Sequence, residues 1–518
     1  MSRLEEFEKE KKITRRRFLS MLTGAGLVSG VATLSGCSPV EQVAGTGWLP
    51  QQYQVPGSWP VQVKGRVAID PASPSLSRDD EKCILCGQCL EVCQNVQSVF
   101  GYFELPVKDD FICVNCGQCS LWCPTGAISE KDDIQKVKDA LDDPEKVVIV
   151  QTAPGTRVAL GEEFGLPKGA WVQGQQVAAL RKLGFDKVFD TVFTADLTIM
   201  EEGTELIQRI SGKSDAPLPQ FTSCCPGWIK FCEYYYPELL PNLSSAKSPQ
   251  QMMGAIIKTY LPKVTNIKPE NIFSVSIMPC TAKKFECSRS EFNAAGKYWG
   301  NEAIRDVDVV LTTRELARMI KAHNIDLPTL PEEEYDEVLG EGSGAGLIFG
   351  NTGGVMEAAV RSAYYLLTGE KAPEVAFKLE PIRGLEGVKE GSLNIPGVGT
   401  IKVAVVHGLS NARQLAEAVK RGEAPYHFIE VMACPGGCIS GGGQPRTSVP
   451  PADHVREERI KAIYNKDASY VLRESHENKE VLALYENFLK HPLSDLAHEL
   501  LHTSYTSRSD KLIAKKLV

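Results

Sequence analysis

Five cysteine-bearing stretches fall in one order along this chain and carry its chemistry. The first two are Cys83-x2-Cys86-x2-Cys89-x3-Cys93 and Cys113-x2-Cys116-x2-Cys119-x3-Cys123-Pro124. Thiolates spaced this closely converge on one point. They suit a cubic iron–sulfur cluster, with the fourth cysteine of each run ligating the other cluster. That assigns Cys83, Cys86, Cys89 and Cys123 to one 4Fe-4S cluster, and Cys113, Cys116, Cys119 and Cys93 to a second. Gly87 and Gly117 let the backbone turn tightly at each run. A disulfide framework rarely needs such clustering, and zinc sites lack the doubled x2-x2-x3 spacing. Two clusters alone would make the protein only a path for electrons.

The other three stretches are longer. They read Thr222-Ser-Cys-Cys-Pro-Gly-Trp228, Met278-Pro-Cys-Thr-Ala-Lys-Lys-Phe-Glu286 and Glu430-Val-Met-Ala-Cys-Pro-Gly-Gly-Cys-Ile-Ser-Gly-Gly-Gly-Gln-Pro445. Cys434 and Cys438 are four apart, one helical turn, so both sulfurs can face one cluster. Gly436, Gly437, Gly441, Gly442 and Gly443 let backbone approach it and aim N–H groups at sulfide.

With the two ferredoxin runs, these motifs resemble the iron-only (FeFe) hydrogenases, over roughly residues 78–505. The resemblance implies H2 ⇌ 2H+ + 2e− at an H-cluster. This is a 4Fe-4S cube joined to a two-iron unit that carries CO, cyanide and a bridging dithiolate. By motif match Cys225, Cys280, Cys434 and Cys438 hold the cube, with Cys438 as the bridge. Cys224 is the expected proton carrier nearest the two-iron unit. Glu202, Ser244 and Glu205 follow it outward, with Arg209 in the same set. Lys283 is expected to hold a cyanide by a charge-assisted hydrogen bond. Met278, Met432, Gln250, Pro154 and the 349–355 loop are expected beside the two-iron unit.

Blander readings stand beside these. Glu202 and Glu205 could be surface carboxylates on a helix, Lys283 a solvated lysine next to Lys284, and the two methionines plain core. Gly155 departs from the family pattern, in which a serine often stands there near a cyanide. A sensory, non-turnover member of the family is the competing function, and Cys224 argues against it.

The elements that must position these residues alternate. Apolar runs at 147–150, 273–277, 307–311, 403–406 and 428–431 read as strands, with helical patterns at 314–322 and 410–420. This predicts an α/β catalytic domain over 145–450, with motifs following strands. A small α+β two-cluster ferredoxin domain precedes it at 78–135. A helical tail over 451–518 follows and resembles the family's small subunit, here fused. Within that tail, 481–490 and 494–502 read as helices, and 383–398 reads as a glycine-rich surface excursion.

His498-Glu-Leu-Leu-His502 fits the HExxH zinc motif, which makes a metalloprotease a remote alternative. Gly340-Glu-Gly-Ser-Gly-Ala-Gly346 lacks the spacing of a nucleotide loop.

Composition is that of an ordinary globular protein, with 43% hydrophobic and 24% charged residues. Net charge is −8, and residues 1–36 hold seven Lys/Arg against four Asp/Glu. That acidic balance argues against nucleic acid as a partner. Thr14-Arg-Arg-Arg-Phe-Leu-Ser20 reads as a twin-arginine signal within 1–36, and Leu34-Ser-Gly-Cys37 as a lipidation site. Residues 37–77 read as a tether. Export is then expected, to the periplasm or the outer face of the cytoplasmic membrane, anchored through a lipid on Cys37. It would use the twin-arginine translocase after maturation proteins load the cofactor. A c-type cytochrome or a membrane electron carrier is the expected redox partner.

Overall fold

The structure is a computed structural model that describes residues 65–104 and 111–513. The arginine-rich leader, Cys37 and most of the tether lie outside the described residues. One unit takes in Arg66–Cys83 and the chain from Gln88 onward. Ile84–Gly87 groups separately with Gly65, which bridges in parallel to Cys86. In the large unit, Leu76–Arg78 (β1) pairs antiparallel with Ile128–Glu130 (β2).

Eight further strands make the two main sheets. They are Val147–Thr152 (β3), Lys187–Asp190 (β4), Gln220–Phe221 (β5), Ile272–Met278 (β6), Val309–Thr312 (β7), Val388–Ile395 (β8), Gly399–His407 (β9) and Phe428–Met432 (β10). The first sheet has the order β4-β3-β6-β7 and is parallel throughout. The second has the order β5-β10-β9-β8, with only β8 antiparallel. β10 is buried at every position and β3 at all but its first, the pattern of strands covered on both faces. Four of the five apolar runs read from the sequence lie on these strands, and the 307–311 run enters β7 only at Val309.

The 383–398 stretch is corrected. It contains β8, an edge strand whose residues alternate between exposed and covered. Its Lys, Glu and Gly content is what a solvent-facing edge tolerates, which is why it resembled a loop.

Strand ends then place the motifs. Pro154 follows β3, Cys224 follows β5, Cys280 follows β6 and Cys434 follows β10. Open α/β sheets put their sites at these carboxyl ends. The helix Thr313–Ala322 begins with a reciprocal cap between Thr312 and Glu315. Glu315 also accepts from Lys284, so that lysine is buried and paired, not solvated.

The tail is helical, with one correction. The 481–490 helix is short, Lys479–Leu484, and continues as a π turn, Tyr485–Leu489. Helix Asp453–Ser469 is clamped by Arg361, which donates to both Asp467 oxygens (3.0 and 2.9 Å) and to Glu357 (2.6 Å). Farther on, Lys247 N–H donates to Leu501 O and Thr503 N–H to Ser245 O, both 2.8 Å. Among the described residues no helix is long and apolar enough to cross a membrane.

Candidate active site

Cys225 is the N-cap residue of helix Pro226–Tyr235. Its sulfur accepts the Ala433 N–H at 3.3 Å, which ties it to the last motif. Burial pushes the Cys280 thiol up to about 12, with the charge of Cys225 adding to it. Cys434 and Cys438 are raised by burial and then by their neighbours, Cys280 first and Cys225 among them. Thiols from both sheets therefore crowd one buried point where each opposes the ionisation of the next. A cationic cluster bound among them would relieve that.

The glycines of the last motif have a second use. A Cβ on Gly437 would stand 2.6 Å from Thr352 N, and one on Gly443 2.6 Å from Thr312 Cβ. On Gly442 it would stand 2.6 Å from Gly117 Cα. These positions let three backbone segments touch, beyond whatever they present to a cluster.

Beside the thiols lies a cavity of about 70 Å3. Pro154, Gly155, Cys224, Gln250, Met278, Lys283, Phe349, Met432 and Cys438 all line it. Lys283 Nζ donates to Cys224 O (3.1 Å) and to Glu286 (3.0 Å). Burial alone would lower its pKa, but Glu286 and the Cys224 and Cys280 thiols outweigh that and raise it. Gln250 donates to Glu286 at 3.0 Å and accepts from Ser276 Oγ at 2.6 Å, so its amide is fixed. Met278 and Met432 belong to apolar clusters as well as to the cavity wall. A Cβ on Gly155 would meet Pro279 Cγ at 3.3 Å and Cys438 O at 3.4 Å, which is tight but open to small shifts. Gly155→Ser is therefore expected to fold with a stability change within about 1 kcal/mol. The matured variant is expected to show shifted cyanide infrared bands; unshifted bands would mean the added hydroxyl points elsewhere.

A line of polar groups leads away from Cys224. Its thiol is held well above the ordinary value by burial, then by Glu202, Cys225 and Cys438. Glu202, on helix Thr191–Ile210, is 1% exposed and neither carboxylate oxygen has a hydrogen-bond partner. Burial and the Glu205 charge push it up to about 8; Ser244, the Ser223 N–H and Arg209 oppose this from longer range. Glu205 accepts from Ser244 Oγ at 2.7 Å and from Arg209 at 2.6 Å. Arg209 also donates to the carbonyls of Leu243 (2.8 Å) and Pro217 (3.0 Å). The surface-carboxylate reading of Glu202 is thereby excluded.

Cys93, Cys113, Cys116 and Cys119 line a separate cavity of about 510 Å3. Burial and Cys113 push Cys93 up to about 12, and burial raises Cys116 and Cys119 further. A Cβ on Gly227 would lie 3.8 Å from Cys116 Cβ, so this run backs onto the helix that Cys225 caps.

Comparison with known proteins decides the family. Residues 146–442 match the family described as the iron-only hydrogenase large subunit, C-terminal domain. The chain belongs to the iron-only hydrogenases. Residues 453–508 match the iron hydrogenase small subunit. The chain is 48% identical over 454 residues to the NADP-reducing hydrogenase subunit HndD of Solidesulfovibrio fructosivorans, covering 84% of this chain and 75% of that protein. It is 49% identical over 370 residues to the periplasmic Fe hydrogenase large subunit of Nitratidesulfovibrio vulgaris, covering 71% and 85%. A solved structure of a variant of the FeFe-hydrogenase HydA1 from Chlamydomonas reinhardtii superposes with TM-score 0.64 and 44% identity, over 72% of this chain and 98% of that one.

As an iron-only hydrogenase the protein is an enzyme of H2 and protons that carries an H-cluster and accessory iron–sulfur clusters. The residues present fit these groups. Burial and neighbouring thiols raise Cys434 and Cys119, which a bound iron–sulfur cluster would offset, and glycines keep the neighbouring backbone close.

Some site residues were not legible. Glu286 stands three residues after Lys283, a helical spacing visible in the motif, yet its pairing was missed. Glu430 accepts the Gly353 N–H (2.6 Å) and the Met356 N–H (2.7 Å), and so holds the 349–355 loop. No local pattern signals that contact. The zinc reading of the HExxH motif fails, because Glu201 and Ser245 occupy both ring nitrogens of His502. Cys232 and Cys287 donate to the carbonyls of Tyr236 and Val307 and have no part in either cavity.

Proposed function

We propose that this hydrogenase oxidises H2 outside the cytoplasm, with Cys225, Cys280, Cys434 and Cys438 holding the H-cluster. The bound centre supplies the metal site and the base at which H2 is split. Cys224 takes up and releases the proton, and Glu202, Ser244 and Glu205 carry it outward. Arg209 fixes Glu205 against neighbouring carbonyls. Lys283 presents its ammonium to the cavity, which suits an anionic cyanide ligand. Cys93, Cys113, Cys116 and Cys119 would hold the accessory cluster nearest the site.

The observation that carries the proton path is Glu202. It is buried, unpartnered and raised to about 8, between the Cys224 thiol and the Ser244–Glu205 pair. A carboxyl in that state holds a proton near neutral pH and can pass it on.

Glu202→Gln tests it in two ways. Glutamine keeps the shape but cannot carry a proton, so turnover is expected to fall about 100-fold. The second readout is stability. Glu202 ionises near 4.5 when unfolded and near about 8 when folded. The folded state thus binds the extra proton between those values, and its contribution to stability declines as pH rises through that window. The variant is expected to lose less Tm than the parent between about pH 5 and 8. Parent-like turnover and an identical Tm–pH curve would remove Glu202 from the path.

The leader sequence and the periplasmic relative support export, and the acidic chain suits a basic cytochrome. Intact cells that reduce a membrane-impermeant viologen with H2 as fast as lysed cells would agree with export. Reduction only after lysis would overturn it.

A further inference from the structure

His498-Glu-Leu-Leu-His502 has another use. His502 Nε2 lies 3.0 Å from Glu201 Oε2, and its Nδ1 lies 2.8 Å from Ser245 Oγ. Glu201 is fully buried and also accepts from Tyr485 Oη (2.5 Å) and Leu493 N–H (2.9 Å). A carboxylate can only accept, so His502 donates to it from Nε2. In the neutral ring Nδ1 then accepts the Ser245 hydroxyl. The backbone N–H of Ser245 in turn donates to both oxygens of Glu205, at 3.3 and 3.1 Å.

Glu205 therefore takes its position from Arg209 and from two consecutive serines, and the tail holds the second of these. We propose that His502, anchored on Glu201, is a positioning residue for Glu205: it fixes Ser245 so that Ser244 and Ser245 present their donors to that carboxylate. The proposal rests on the reading of Glu205 as the outer proton carrier. It gives the small-subunit-like tail a part in proton transfer.

The side chain, not the strand, does this. Backbone pairing of Ser245 with Thr503 and of Lys247 with Leu501 does not depend on the imidazole. Lys247 is tied separately to Asp306 (3.2 Å) and Leu500 O (2.8 Å). The titratable groups facing His502 are Glu201, Tyr485 and the exposed His498, whose ring lies 4.5 Å away, with Glu205 reached through Ser245.

The test uses matured full-length enzyme carrying His502→Ala, His502→Gln, Glu205→Gln or His502→Ala with Glu205→Gln. Infrared spectra count intact centres, and H2 oxidation is measured against pH in H2O and D2O. His502→Ala is expected to lower turnover per intact centre about tenfold, since small misplacements at a relay are costly. It should also shift the pH profile and raise the solvent isotope effect. His502→Gln, whose amide can donate and accept, should restore much of the rate. The double variant should be no slower than Glu205→Gln alone, because both act through one group.

A His502→Ala enzyme with lower Tm but the parent pH profile and isotope effect overturns the proposal, as does multiplication of the two losses in the double variant. If Glu205→Gln itself turns over like the parent, the outer-carrier reading fails and takes the proposal with it. If Glu205→Gln is slow while His502→Ala is not, only the positioning role fails. Should His502→Ala not fold, Ser245→Ala removes just the bridging hydroxyl, and the same comparisons decide.

Discussion

Replacing Cys224 by alanine is expected to lower H2-dependent viologen reduction by about 100- to 10,000-fold, the range general acid–base groups supply. The thiol lines the cavity, and burial first, with Glu202 next, holds it well above the ordinary thiol value. It is thus charged with a proton in the resting protein and sits at the inner end of the Glu202–Ser244–Glu205 line. Alanine removes the thiol at that end while leaving Cys225, the cap of helix Pro226–Tyr235, in place. The centre should therefore assemble, and its CO and cyanide infrared bands should persist at parent intensity. Assembled but inactive variant beside active parent would establish the proton role. Parent-like rates would end it. An assembled parent that never turns over would point to a sensory protein.

The second large effect is on stability. Arg361 has a side chain with no exposed surface and holds Glu357 and Asp467, which are equally buried. Removing it leaves two carboxylates in a dry interior, a loss that typically costs about 3–5 kcal/mol. Arg383 still contacts Glu357 and Arg473 still contacts Asp467, so the lower figure is expected. Arg361→Ala should therefore melt several degrees below the parent and lose activity faster on warming. Arg361→Lys should recover little, because an ammonium cannot fork between two carboxylates. A Tm within about one degree of the parent would show that the tail helix is held by its apolar face alone.

How much of this was written in the chain differs from residue to residue. The thiols and their spacing were legible, because ligating one metal cluster demands short, fixed intervals. The buried strands were legible too, since 147–150 is a continuous apolar run and 428–432 is apolar apart from Glu430. β8 was not, because an edge strand has the polar composition of a loop. Glu286 was half legible, at helical spacing from Lys283. The contacts of Glu430 with Gly353, and of His502 with Glu201 some 300 positions away, were not. Such pairs are set by how the sheets and tail close on each other, and no local periodicity records that.

The paired backbone at Ser245–Lys247 and Leu501–Thr503 has a consequence for assembly. Two separate chains making this contact would dissociate on dilution, and the share of complete sites would depend on how much of each was produced. A covalent tail instead meets its dock at an effective concentration on the order of millimolar. Each molecule thereby carries its own outer wall in a fixed one-to-one ratio, however dilute its surroundings.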